Sequence, residues 1–414
     1  MKKLLYIGMF FSCQVVLAQD MTRVKRIVDT LCSSTFAGRG ASGAGDVKAS
    51  NFLVNEIKSR GGTPFKDTSY RYPFSYIINT FEGKVELKIQ NKHLVPGVDY
   101  IVNSKSGGGS GKGKVIYFDS ITSNQLLLKS FKNKVIVFNA KQYKEYTKGT
   151  YVFKSPLQEA SCWIILNKDK LTMGLSSEAY DMPVFEVRES AWDFKTKKIE
   201  WIIENSLRIH EAFNIATKIE GRETTDSCIV FTAHYDHLGR MGNQVYFPGA
   251  NDNASGVSMV LELLSYFKEH PLDIDVVFIF FAGEEAGLKG SMDWVQSQRT
   301  TLGDIKCLVN LDLVGTGDDG IMVVNGKEYP AIVNQLEEIN NQEKLLPNIK
   351  ARGSAANSDH NSFYINGVKS IFIYTLGGVA AYHDVADVPS TLPYTKFREL
   401  FTLLVNFAER QTIE

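Results

Sequence analysis

The chain has 414 residues, with 46 Lys or Arg against 46 Asp or Glu, so its formal net charge is zero. That balance leaves no electrostatic footprint for nucleic acid and no basic helix for a membrane surface. The length points to two domains.

The chain opens with Lys2-Lys3, a mostly apolar run from Leu4 to Leu17, and the small-residue ending Val16-Leu17-Ala18 before Gln19. Residues 1–18 read as a cleavable signal peptide, which sets an expectation of a secreted or periplasmic protein. Phe10-Phe11-Ser12-Cys13 is a fainter lipoprotein-type signal, but the apolar stretch before Cys13 is short. No later segment approaches ~20 continuous apolar residues, so no stable membrane association is expected. Cys32, Cys162, Cys228 and Cys307 remain once the leader is gone, too scattered for a disulfide framework.

Residues 19–69 carry two amphipathic helices, Met21 to Cys32 and Asp46 to Ser59, the second closed by Gly61-Gly62. Their Ala and Leu/Val spacing fits docking on a sheet. Across residues 70–206 the pattern turns to short β-type runs, such as Val85 to Ile89, Lys134 to Phe138, Trp163 to Leu166 and Pro183 to Val187. Polar and glycine-rich loops separate them. One, Ser106-Gly107-Gly108-Gly109-Ser110-Gly111, reads as a flexible surface segment and lacks the lysine and threonine of a phosphate loop.

Residues 207–414 alternate buried strands with helices, the pattern of an open α/β sheet. Cys228 to Ala233 is one apolar run, and His234 follows it at once. Val276 to Phe281 is a second, followed by Ala282-Gly283-Glu284-Glu285, and Cys307 to Leu311 is a third, followed by Asp312. Lys369 to Tyr374 is a fourth, ahead of the loop that carries His383, and Tyr394 to Arg410 reads as a closing helix. Ligands in such sheets collect at the carboxyl ends of the strands. The set His234, Asp252, Glu285, Asp312 and His383 holds no cysteine, and His/carboxylate sets of this kind suit zinc at an open hydrolytic site. Asp236, two residues after His234, is placed to accept a hydrogen bond from the second ring nitrogen of that histidine and so fix its tautomer.

Five blocks carry a family resemblance: His234-Tyr235-Asp236-His237-Leu238-Gly239, Gly249 to Gly256, Gly283 to Ser291, Asn310-Leu311-Asp312 and Tyr382-His383. Together they resemble the co-catalytic dizinc aminopeptidases, the group of aminopeptidase Y, bacterial leucyl aminopeptidases and glutamate carboxypeptidases. A weaker opening match lies in Phe36-Ala37-Gly38-Arg39-Gly40. The resemblance implies a three-layer α/β/α zinc exopeptidase-like mixed sheet, two zinc ions and peptide substrates. It makes Asp252 the bridging ligand, with His234 and Asp312 completing one site and Glu285 and His383 the other. It gives Glu284 the general base, Tyr382 a share in stabilising the oxyanion, and Asp387 a hydrogen bond to the second nitrogen of His383. Residues 70–206 resemble in layout the protease-associated insert of that family, either a roof over the site or a spacer.

Duller readings stand beside these. Asp252 could be a helix N-cap, and Glu284 and Glu285 could complement the dipole of the next helix. His360 and Arg352 could reach substrate or belong to a solvated surface. His237 stays unassigned; His93, His210 and His270 read as structural, and Asp318-Asp319 as a turn. The expected activity is removal of N-terminal residues from peptides. Its rivals are a single-zinc glutaminyl cyclase-type acyltransferase, a carboxypeptidase on the same fold, and a non-catalytic binding module.

Overall fold

A nine-stranded mixed sheet organises the larger part of the molecule in the computed structural model, which describes residues 19–66, 68–90, 92–121, 130–148 and 156–411. The expected signal peptide lies outside the described residues. The strands Asp275–Phe281, Cys228–His234, Ile305–Leu311 and Ser370–Thr375 run parallel and adjacent, in that spatial order. Their cores are nearly continuous apolar runs because both faces are covered. Cys228–His234 has parallel neighbours on both sides, so the chain reverses its direction of travel across the sheet at this strand, where α/β sheets open a crevice.

Helices Met21–Leu31, Gly45–Ser59, Gly256–Glu269, Pro330–Glu343 and Phe397–Arg410 cover one face. Their buried residues recur at helical spacing, as in Val24, Ile27, Val28 and Leu31. The other face packs under Trp294, Phe281 and Phe363, with the short helices Lys289–Gln296 and His360–Tyr364. Helix, sheet and helix make the three layers expected from the sequence. Cys32, Cys162, Cys228 and Cys307 are buried free thiols. Among the described residues, no helix is long and apolar enough to cross a membrane.

A second sheet, eight-stranded, is built entirely between Val85 and Ile203. Its core includes Leu238, Met241 and Phe247 from the loop after His234, so it sits directly on that loop. The sequence places the change of pattern at residue 70, but Arg71–Thr80 belongs to the main sheet, paired antiparallel along its whole length with Ser206–Ile219. The glycine-rich stretch also differs from expectation. Gly109–Tyr117 is a strand, paired with Lys198–Ile203. Trp201 lies across it so closely that a side chain at Gly111 would meet the indole at 2.9 Å. Glycine here admits a packed tryptophan and does not make a loose loop.

Candidate metal centre

Strand ends place the candidate residues. His234 ends its strand, opposite Phe281 in the neighbouring one. Beyond Phe281 the chain turns at Gly283 (φ +68°) to present Glu284 and Glu285. Asp312 follows Leu311, its amide bonded to the Ile373 carbonyl. His383 arrives on the loop after Ser370–Thr375, with its backbone in the left-handed region at φ +53°. Strain of that kind is held only where surroundings over-determine it.

Asp252 lies in the bend before helix Gly256–Glu269, in a loop fastened from several directions. The Asp387 carboxylate accepts the amides of Asn251 and Asp252 at 2.9 and 3.0 Å. The fully buried Arg39 guanidinium donates to the carbonyls of Leu31, Tyr235, Pro248, Gly249 and Asp252 at 2.5–3.2 Å. One planar five-donor fork thus ties the His234 loop to the Asp252 loop. Gly249 (φ +62°) must be glycine, since a side chain would enter the Asp252 carbonyl, the His237 ring and the Arg39 guanidinium. Asn253 accepts from Gly256 N and donates to the Leu311 carbonyl, both at 2.9 Å. Asn253 therefore serves the helix start, and the Asp252 carboxylate stays free of that duty.

The two oxygens of Asp252 face different partners. Oδ1 is 3.4 Å from His234 Nε2, which is 3.3 Å from Asp312 Oδ1. Oδ2 is 3.3 Å from His383 Nε2, which is 3.0 Å from Glu285 Oε2. Donors spread tetrahedrally around zinc at about 2.0–2.2 Å stand roughly 3.3 Å apart, close to these four separations. Asp312 Oδ1 is buried without a hydrogen bond, a costly state that a cation relieves. The three-donor groups lying mutually within 4.8 Å are His234 with Asp252 and Glu285, and His234 with Glu284 and Asp312, so Glu284 also stands within ligand range.

Electrostatics separate the two adjacent glutamates, while burial raises Asp312 as it does Glu284. Burial pushes Glu284 well above the usual carboxylate range, with Glu285 adding to it and His234 opposing. Burial and Asp252 push Glu285 up as well, yet His383 and His237 prevail and bring it to about 2. Burial disfavours a charged His383, but Glu285 and Asp252 raise it to about 11. The carboxylates that hold this imidazole charged are the ones a divalent cation would neutralise. Burial also keeps the Tyr382 phenol protonated far above its ordinary range. Its ring stacks on that of His383 with centroids 4.0 Å apart.

Several supporting residues differ from expectation. His234 Nδ1 bonds the main-chain carbonyl of Asp236 at 3.2 Å, while the Asp236 carboxylate stands 3.7 Å away. That carboxylate instead accepts the amides of Glu284 and Glu285 at 3.2 and 3.4 Å, holding the glutamate turn. Asp387 holds Asp252, as described, and does not reach His383. His383 Nδ1 donates to the Met173 carbonyl at 2.8 Å, and Met173 N donates back to the His383 carbonyl at 3.1 Å. Met173 comes from the segment between two strands of the second sheet, and nothing in the sequence announces this contact. His237, unassigned from sequence, is fully buried with Nδ1 2.6 Å from Glu285 Oε1. Its place in the His-Tyr-Asp-His run was the available signal.

The cavity over the cluster measures about 200 Å³ and is lined by His234, Asp252, Glu284, Glu285, Asp312, Tyr382 and His383, with Leu313, Arg352, Asn357, Phe372 and Tyr374. His360 is buried beside Phe372 and does not line it. A larger cavity of about 710 Å³, near Gln19 and Arg23, holds none of these residues. His210 is buried against Asp46 and edge-on to Tyr76, a structural role, and Asp318-Asp319 form a turn.

Known proteins agree with this architecture. Residues 214–408 match the model of Peptidase family M28. Aminopeptidase YwaD of Bacillus subtilis is 29% identical over 219 residues, 49% of this chain and 45% of its own. A probable zinc metalloprotease of Pyrenophora tritici-repentis is 35% identical over 112 residues, 26% of this chain and 25% of its own. The chain thus spans about a quarter of the length of such metalloproteases. Among solved structures, the zinc aminopeptidase BSAP from Bacillus subtilis superposes with a TM-score of 0.72 at 18% identity, covering 95% of this chain and 96% of that one. An aminopeptidase from Aneurinibacillus sp. strain AM-1 gives 0.65 at 19%, covering 96% and 94%. At these identities the superpositions show a shared fold. Residues 214–408 thus resemble a Peptidase family M28 domain, and the chain shares its fold with solved zinc aminopeptidases.

Proposed function

We propose that this protein is an exported aminopeptidase that works with two zinc ions on peptide substrates. One observation carries the reading: the two oxygens of Asp252 address separate donor pairs, His234 with Asp312 and His383 with Glu285. His234, Asp252 and Asp312 would hold one ion, and Asp252, Glu285 and His383 the other. Zinc so held supplies Lewis-acid polarisation of a carbonyl and a water acidified towards ~7.

The chain's own groups do the rest. Glu284, which stands beside His234 and Asp312, takes the proton of the attacking water and hands it to the leaving amine. Its raised pKa suits a group that must both accept and return a proton. Tyr382, held against His383, keeps its phenolic proton and donates it as a hydrogen bond to the developing oxyanion. Asp236 fixes the turn that separates Glu284 from Glu285. The second sheet, seated on the loop after His234, narrows the approach and favours chain ends. Export rests on residues 1–18 alone.

Glu284→Gln and Glu285→Gln test the mechanism together. Glu284→Gln should retain two zinc ions and the fold while turnover falls by ~10²–10⁴, about 3–5 kcal/mol of transition-state stabilisation. Glu285→Gln should lose metal as well as rate. Equal metal loss in both would show the roles wrongly divided. N-acetylation of a peptide should block its hydrolysis, and internal cleavage of acetylated peptides at similar rates would refute the aminopeptidase reading.

A further inference from the structure

Arg352 stands in the wall of the cavity, just beyond the edge strand Ile349–Ala351. Its backbone is fixed on both sides: its amide donates to the Val323 carbonyl at 3.0 Å, and its carbonyl accepts Lys327 N at 3.3 Å. Its side chain is exposed and, among the described residues, has no hydrogen bond, ion pair or ring partner. An arginine usually spends its donors on carboxylates or carbonyls, as Arg39 does, so an uncommitted guanidinium in a cavity wall is available to a ligand.

Charge gives that availability a direction. The cavity wall holds four carboxylates, Asp252, Glu284, Glu285 and Asp312. Divalent cations bound there would offset those carboxylates, and Arg352 is the one arginine or lysine among the described residues lining the cavity. Lys170 adds a positive charge from the second sheet, with its ammonium bonded to the Ala380 carbonyl at 2.9 Å and 5.8 Å from the centre of the Tyr382 ring. Phe372 and Tyr374 supply aromatic wall in the same cavity. A planar fork beside aromatic walls is suited to bidentate capture of a carboxylate.

We propose that Arg352 is a specificity-determining residue that binds a carboxylate of the substrate. The carboxylate is either the side chain of an acidic N-terminal residue or the C-terminus of a very short peptide. This inference deepens the aminopeptidase reading and rests on it.

The zinc-loaded enzyme and its Arg352→Ala and Arg352→Lys variants would be assayed on matched pairs. N-terminal Glu against Gln in otherwise identical peptides probes the side-chain source, and Leu-Leu against its C-terminal amide probes the terminal source. For one pair, Arg352→Ala should cut kcat/KM at least tenfold more for the carboxylate member, mainly through KM, and Arg352→Lys should restore part of it. The pair that responds identifies the source. Equal losses within both pairs, or none, overturn the proposal. Calorimetric binding of glutamate against glutamine, and of Leu-Leu against its amide, separates the two readings. If no peptide is cleaved but Arg352→Ala still weakens one carboxylate ligand selectively, the peptidase reading fails and Arg352 keeps its role.

Discussion

The two sheets contribute to the candidate site in different currencies. The ends of four parallel strands of the main sheet, and the loops that follow them, bring ionisable side chains together around Asp252. The second sheet brings a main-chain carbonyl, that of Met173, and the single ammonium of Lys170. Reactivity depends on residue type and can be read one letter at a time. Positioning depends on where the backbone passes, and many sequences could supply it.

Removing the shared ligand should produce the largest effect. Asp252→Ala takes an oxygen from each donor set, so both ions should be lost and hydrolysis should fall by on the order of 10³-fold or more. Elemental analysis of the purified variant decides it, and two retained ions would break the assignment. Arg39 comes next, because it organises the main-sheet loops as Met173 organises the His383 loop. Arg39→Met leaves buried carbonyls without donors and should cost about 3–5 kcal/mol in chemical denaturation. A loss below ~1 kcal/mol would mean that the two loops hold without their common fork.

Acid sensitivity separates the regions more gently. Burial lowers His360, beneath the main sheet's site, to about 4. Its unfolded form takes up a proton near the ordinary ~6.5, so the unfolded state binds more protons in this window. Stability should therefore decline as pH falls from ~6.5 to ~4, by up to ~3 kcal/mol. The same denaturation series on His360→Gln should be flatter, and an unchanged slope would assign the acid loss elsewhere. The smallest effect is expected at Lys170. Lys170→Met removes the ammonium near Tyr382 and a hydrogen bond to Ala380, costing about 0.5–1 kcal/mol, read as a few-fold rise in KM. No change would confine the second sheet's contribution to Met173.

The sequence was most informative where burial and chemistry coincide. Cys228–His234, Asp275–Phe281 and Ile305–Leu311 have nearly continuous apolar cores because helices cover both faces, and the polar residues at and just beyond their ends stand out against that background. Arg71–Thr80 was harder to place. Its alternating burial resembles that of the second sheet's strands, and only its long-range pairing with Ser206–Ile219 shows which sheet owns it. Asp236 and Asp387 lie close in sequence to the histidines they were expected to orient. Each instead spends its carboxylate on amides distant in the chain, a geometry that spacing does not encode. Composition alone makes the stretch Ser106 to Gly111 read as loose, because it does not reveal the Trp201 indole that lies over Gly111.

The paired bonds between Met173 and His383 tie two events together. An imidazole that offers Nε2 to a cation keeps its proton on Nδ1, and that proton is the one Met173 receives. On the proposed two-ion reading, seating of the second sheet and loading of an ion at His383 would be linked equilibria, and the free energy one lends the other would be returned in equal amount. Affinity for the metal would thus become a gauge of how firmly the second sheet is docked. A molecule wedged beneath the segment around Met173 would then weaken metal binding at His383 through the Nδ1 bond.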